Sequence, residues 1–168
     1  NTIGFDNLDK SELNTLTNSN RYLNDAYNSI GAGNELDYIF INIGTNDTKV
    51  IFKDRQKEVT TNMDLLVKKI KAWINEHQQR MPILCIISPS PMDEEKVDKA
   101  KYSGGNLRVQ KNNAQFKKTA RANAVDFLDS YSFLSKDFSG KTTDGIHLNE
   151  KAQFELASII TTYINSKK

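Results

Sequence analysis

Cysteine is nearly absent from this chain, histidine is scarce, and no long apolar run occurs. Each shortage excludes something. The one cysteine, Cys85, has no partner for an internal disulfide. Its place in the run Ile83-Leu84-Cys85-Ile86-Ile87 marks it as a buried, inert thiol rather than a reactive one. No stretch approaches the roughly 18 apolar residues that a membrane-spanning helix needs. A surplus of either charge is missing too. The net charge is +2 and the lysines are spread along the chain, so no nucleic-acid partner is expected. There is no internal repeat and no interdomain linker. The opening Asn1-Thr2-Ile3 carries neither an initiator Met nor the pattern of a signal peptide, which leaves the compartment open.

What is present fits one domain over residues 1–168. At 38% hydrophobic and 26% charged residues, a chain of this length can bury a single core. Three apolar runs alternate with helical patterns. Residues 36–43 (Leu-Asp-Tyr-Ile-Phe-Ile-Asn-Ile) are β-branched and aromatic and end at Gly44; residues 83–87 follow Pro82 and end at Ser88-Pro89; residues 124–128 end at Asp129-Ser130. Continuous runs of this kind, without strict alternation, predict strands buried on both faces of a parallel sheet.

Helical spacing fills the gaps. Between residues 54 and 77, Val59, Met63, Leu66, Val67, Ile70 and Ile74 recur at intervals of three and four. Residues 107–123 form a second, more polar pattern. A third runs over residues 149–164 with Phe154, Ala157, Ile160 and Ile164 on one face, Asn149 as its cap and Glu150 in its first turn. The alternation of strand and helix predicts an α/β fold with right-handed crossovers. The polar, Asn-rich first 35 residues predict two short helices, near residues 11–16 and 21–30. Residues 89–105 make the longest irregular segment, a candidate rim loop over a site.

Ligands of an open parallel sheet bind beyond the carboxyl ends of its strands. Gly44-Thr45-Asn46-Asp47 follows the first strand at that edge. An Asn there can aim an amide N–H at a developing oxyanion, a contact typically worth about 10²–10³ in rate. Taken alone, the stretch reads first as turn chemistry. Asp144-Gly145-Ile146-His147 lies just before the last helix, and its spacing lets a carboxylate reach an imidazole three residues on if the segment turns. A carboxylate on one ring N–H fixes the tautomer and leaves the other nitrogen as a base. His77, at the polar end of a helix, reads as a surface residue. Asp-x-x-His could also begin a metal site, but no third or fourth ligand stands at a fitting spacing. No metal and no organic cofactor is expected.

Together, Ile43-Gly44-Thr45-Asn46-Asp47 and Asp144-Gly145-Ile146-His147-Leu148 resemble the SGNH (GDSL-type) hydrolases over most of the chain. Thr48-Lys49, Ser88-Pro89 and Tyr102-Ser103-Gly104-Gly105 are more similar to the arylesterase and acyltransferase branch. The resemblance implies a flavodoxin-like three-layer α/β/α sandwich. It implies His147 as general base, Asp144 as its orienter and Asn46 as oxyanion donor. A second donor is implied in the glycine-containing loop after strand two, where Gly4 or Asn7 is the candidate. The family's nucleophile lies in a Gly-Asp-Ser motif at the end of a central first strand, and this sequence contains no Gly-Asp-Ser. The expectation is that an N-terminal segment carrying it is absent from this sequence, and that this chain alone does not turn over esters. Ser88, Ser90, Ser29 and Ser103 lack the setting of a nucleophile elbow.

The function implied is a serine ester hydrolase acting on small acyl esters of small molecules or carbohydrates, with its own missing N-terminal segment as a partner. Acyl transfer to an alcohol would use the same residues. A non-catalytic carbohydrate-binding or scaffolding protein on the same fold would explain the missing serine, but not a base, an orienter and an amide donor together.

Overall fold

Runs of β-branched and aromatic residues become three strands, and the stretches at helical spacing become the helices between them. A computed structural model describes residues 35–77 and 80–168, together with Asp25, Asn28 and Ser29. The helices expected at residues 11–16 and 21–30 fall outside the described residues but for those three. The strands are β1 (Tyr38–Ile41), β2 (Ile83–Ile87) and β3 (Asp126–Leu128). All are parallel, in the order β1-β2-β3, with Tyr38 opposite Ile83 and Cys85 opposite Asp126. Among the described residues β1 is paired on one side only.

Helix α1 (Gln56–His77) connects β1 to β2. Between β2 and β3 come the short α2 (Lys99–Tyr102) and then α3 (Gly105–Ala122). After β3 follow α4 (Ser130–Leu134) and the C-terminal α5 (Glu150–Asn165). Helix α1 forms because its apolar residues make one stripe. Val59, Met63, Leu66, Val67, Ile70, Trp73 and Ile74 are all 5% exposed or less, each worth about 1.5–3 kcal/mol of burial. They pack with Phe116 and Ala120 of α3 against Ile39, Ile41, Leu84 and Ile86 of the sheet.

The opposite face of the sheet receives α5. The Tyr163 ring meets Phe40 edge-on at 5.9 Å, and its hydroxyl donates to Asp126 Oδ2 at 2.5 Å. Lys167 reaches the same carboxylate at 2.7 Å. The sheet therefore has helices on both faces, the flavodoxin-like three-layer α/β/α sandwich. Among the described residues no helix is long and apolar enough to cross a membrane.

Three details differ from the pattern in the sequence. Strands β1 and β3 are shorter than their apolar runs, Tyr38–Ile41 against 36–43 and Asp126–Leu128 against 124–128. The irregular segment 89–105 contains α2, whose Asp98 cap accepts from the Ala100 N–H at 3.0 Å. On α5 the cap is as expected, with Asn149 Oδ1 accepting from the Ala152 N–H at 3.1 Å. The apolar stripe is not: Phe154 is 67% exposed, and only Ile160 and Ile164 of the expected face are half-buried.

Candidate active site

Gly44 ends the run after β1 at φ +116°, a conformation that favours glycine. A Cβ there would also stand 3.1 Å from the Phe116 ring and 3.2 Å from Pro89. The chain then turns through a single 3₁₀ turn, Asn46–Thr48. Thr48 closes it, its N–H and its hydroxyl both donating to Thr45 O at 3.1 and 2.6 Å. Two helices pin the turn from outside. Arg108 Nε of α3 donates to Thr48 O at 2.7 Å. Gln56 Nε2 of α1 donates to Asp47 O at 2.8 Å, and Asn112 Nδ2 in turn donates to Gln56 Oε1 at 2.8 Å. The Asn46 side chain is thus carried on a turn anchored to both central helices. Its Oδ1 accepts from the Tyr102 hydroxyl at 2.8 Å.

Asp144 and His147 meet in the loop before α5. Asp144 Oδ1 accepts from the Ile146 and His147 N–H groups at 3.0 and 2.8 Å, closing a tight turn. Its Oδ2 then faces His147 Nδ1 at 2.5 Å. The imidazole side chain is 81% exposed and its Nε2 is bound to no described residue. The His147 ring hydrogen bond, its backbone N–H and that of Ile146 together hold the Asp144 carboxyl far below the usual carboxylate range. An imidazole held at Nδ1 by an ionised carboxylate presents Nε2 as a base.

The turn is locked onto the rim. Gly145 sits at φ +87°, and a Cβ on it would lie 2.7 Å from Val97 N and 2.8 Å from Asp93 O. The Asp93 N–H donates to Gly145 O at 2.9 Å. On the other side, Thr142 Oγ1 donates to His147 O at 2.8 Å and Lys96 Nζ donates to Thr142 O at 3.2 Å. The irregular segment after β2 is therefore the support of the imidazole loop.

Tyr102 hydrogen-bonds Asn46, and its phenol is pushed above its ordinary value by burial, by the charge of Asp144 and by that of Asp98. The sequence placed Tyr102 on the rim without a role; its contact with Asn46 spans 56 positions and carries no local signal. Gly4 and Asn7, the candidates for the second oxyanion donor, lie outside the described residues. Ser88 is fully buried, with its Oγ accepting from the Tyr131 N–H at 2.9 Å and 3.2 Å from Ser130 Oγ. That setting suits a strand-end brace, not a nucleophile. His77 is exposed on the last turn of α1 and stacks on Trp73. Among the described residues no three His, Cys, Asp or Glu side chains gather as a metal site.

The family model of the GDSL-like lipase/acylhydrolase family matches residues 7–153, a span that includes Asn46, Asp144 and His147. The chain belongs to this family. Solved structures agree on the fold. A carbohydrate acetylesterase from Sinorhizobium meliloti superposes with a TM-score of 0.72 at 21% identity, covering 99% of this chain and 74% of that one. An aryl esterase from M. smegmatis, in inhibitor-bound form, gives 0.73 at 20%, covering 98% and 74%. A mutant acetyl-xylooligosaccharide esterase from Geobacillus Stearmophilus gives 0.57 at 15%, covering 84% and 65%. No curated protein sequence matches the chain. Members of a GDSL-like acylhydrolase family are hydrolases of esters, and the described residues of this chain carry the fold of the matched esterases.

Proposed function

We propose that the site hydrolyses small acyl esters by a serine acyl-enzyme mechanism, with the nucleophilic serine supplied from outside these 168 residues. The observation that carries the reading is the Asp144–His147 pair, closed at 2.5 Å with the imidazole side chain 81% exposed. In the first step the serine Oγ attacks the ester carbonyl carbon and its proton passes to His147 Nε2. The tetrahedral intermediate collapses, the carbon–oxygen bond to the alcohol breaks, and the leaving alkoxide takes that proton. Water repeats the sequence on the acyl-enzyme and regenerates the serine. Asp144 keeps the imidazole in the productive tautomer and stabilises the imidazolium. Asn46 Nδ2–H, with a backbone N–H of Gly4 or Asn7, holds the oxyanion.

Two facts support an outside nucleophile. The chain contains no Gly-Asp-Ser, and it spans only 74% of the length of the matched esterases. The substrate class we infer is a short acyl ester, acetyl above all, on a sugar or an aryl alcohol. The esterases that share the fold carry such substrates in their names. The test is steady-state hydrolysis of p-nitrophenyl acetate and of an acetylated xylo-oligosaccharide by the polypeptide that carries the serine. His147→Ala should remove nearly all turnover. Retention of about a tenth of the rate would refute the base assignment, since an acyl-transfer base contributes far more than that.

A further inference from the structure

We propose that Tyr102 is a positioning residue that fixes the Asn46 amide with its nitrogen toward the open site, so that an N–H meets the developing oxyanion. The catalytic consequence rests on the ester-hydrolase reading above; the orientation itself rests on geometry. A primary amide has nearly the same shape at its two ends and opposite polarity. Turning it by half a revolution would replace a donor with an acceptor and convert stabilisation into repulsion. Something must choose between the two.

One hydrogen bond makes that choice. The Tyr102 hydroxyl donates to Asn46 Oδ1 at 2.8 Å, and this is its only acceptor among the described residues. No described residue accepts from Asn46 Nδ2, so the nitrogen is left for whatever enters the site. The donor is itself held firmly. Tyr102 is 8% exposed and packs with Met92, Val97 and Val109. Its N–H donates to Asp98 O at 2.9 Å within α2, and the Lys49 ammonium lies 5.9 Å from its ring centroid. Burial and the charges of Asp144 and Asp98 favour the protonated phenol, which can donate or accept; a turned amide would offer it an N–H and leave the phenol proton without an acceptor among the described residues. The turn that bears Asn46 is fixed independently by Arg108 and Gln56. Both ends of the bond are therefore pre-set before any substrate arrives, as electrostatic preorganisation requires.

Tyr102→Phe removes the hydroxyl and keeps the ring. The readouts are the ¹⁵N-edited NMR signals of the Asn46 side-chain NH₂, assigned by their loss in Asn46→Asp, and kcat/KM for p-nitrophenyl acetate in the polypeptide that carries the serine. In Tyr102→Phe the NH₂ pair should shift while the Val97 and Val109 methyl signals stay in place. The value of kcat/KM should fall about tenfold, with KM changed less than about twofold and no further loss when Asn46 is already Ala. An unmoved NH₂ pair would overturn the orientation. A shifted pair with kcat/KM intact, where Asn46→Ala lowers it, would overturn the catalytic role of Tyr102. If Asn46→Ala is itself without effect, or no ester is turned over, the ester-hydrolase reading fails and takes the catalytic role with it, while the NH₂ pair still tests the Tyr102–Asn46 hydrogen bond.

Discussion

Asp144→Asn is the substitution that separates charge from shape at this site. Asn keeps an oxygen at Oδ1, so the hydrogen bonds from the Ile146 and His147 N–H groups, at 3.0 and 2.8 Å, survive and the turn stays closed. At the other atom an NH₂ replaces the oxygen that faces His147 Nδ1 at 2.5 Å. A donor there forces Nδ1 to accept, so the ring proton moves to Nε2, where the base should be. In a buried serine-protease triad this change of tautomer costs about 10⁴ in rate. Here the imidazole side chain is 81% exposed and the carboxylate 50%, so the ring can swing away and water can take the place of the carboxylate. The loss should therefore lie at roughly 10²–10⁴, about 2.7–5.5 kcal/mol of transition-state stabilisation. Stability should hardly change, by about 1 kcal/mol or less, because an exposed ion pair contributes little to folding. The assay is kcat/KM for p-nitrophenyl acetate beside a thermal melt, in the polypeptide that carries the serine. A variant with the parent's melting point and a rate within about threefold of the parent would refute the orienting role of Asp144, since that is far below the loss of a productive tautomer.

Three further outcomes follow from the packing. Gly145→Ala forces a side chain into φ +87° and within 2.7 Å of Val97 N; it should destabilise by about 1–3 kcal/mol and slow turnover, read by the melting point and by kcat. Phe116→Ala empties a fully buried site shared by α3 and the sheet, and chemical denaturation should report a loss of about 3–5 kcal/mol. Cys85 is fully buried, and burial followed by the charge of Asp126 pushes its thiol up to about 11; a thiol-disulfide reagent at pH 8 should label it only after unfolding.

Helical spacing made α1 legible because a run of 22 residues averages over local irregularity. The cap at Asn149 and the Asp144–His147 pair were legible for a related reason: each acts within a few positions of chain. Strand ends were less so, because apolar character runs past the last paired residue of β1 into the turn at Gly44. Helices α2 and α4, of four and five residues, are too short to show a period. Phe154 sat in phase with the other apolar residues of α5, yet phase says only which residues share a face. It does not say that a neighbour covers all of it. The supports of the site were invisible for the deepest reason. Tyr102 on Asn46, and Gln56 on Asn112, are contacts between residues 56 positions apart, and only the fold brings them together.

The measurement closest to the central claim is the intact mass of the natural polypeptide bearing this sequence, before and after a fluorophosphonate serine probe, followed by mapping of the modified residue. A single adduct is expected on a serine outside Asn1–Lys168, lost or greatly slowed in His147→Ala. An adduct on Ser88, Ser90 or Ser103, or no adduct together with no ester turnover, would contradict it.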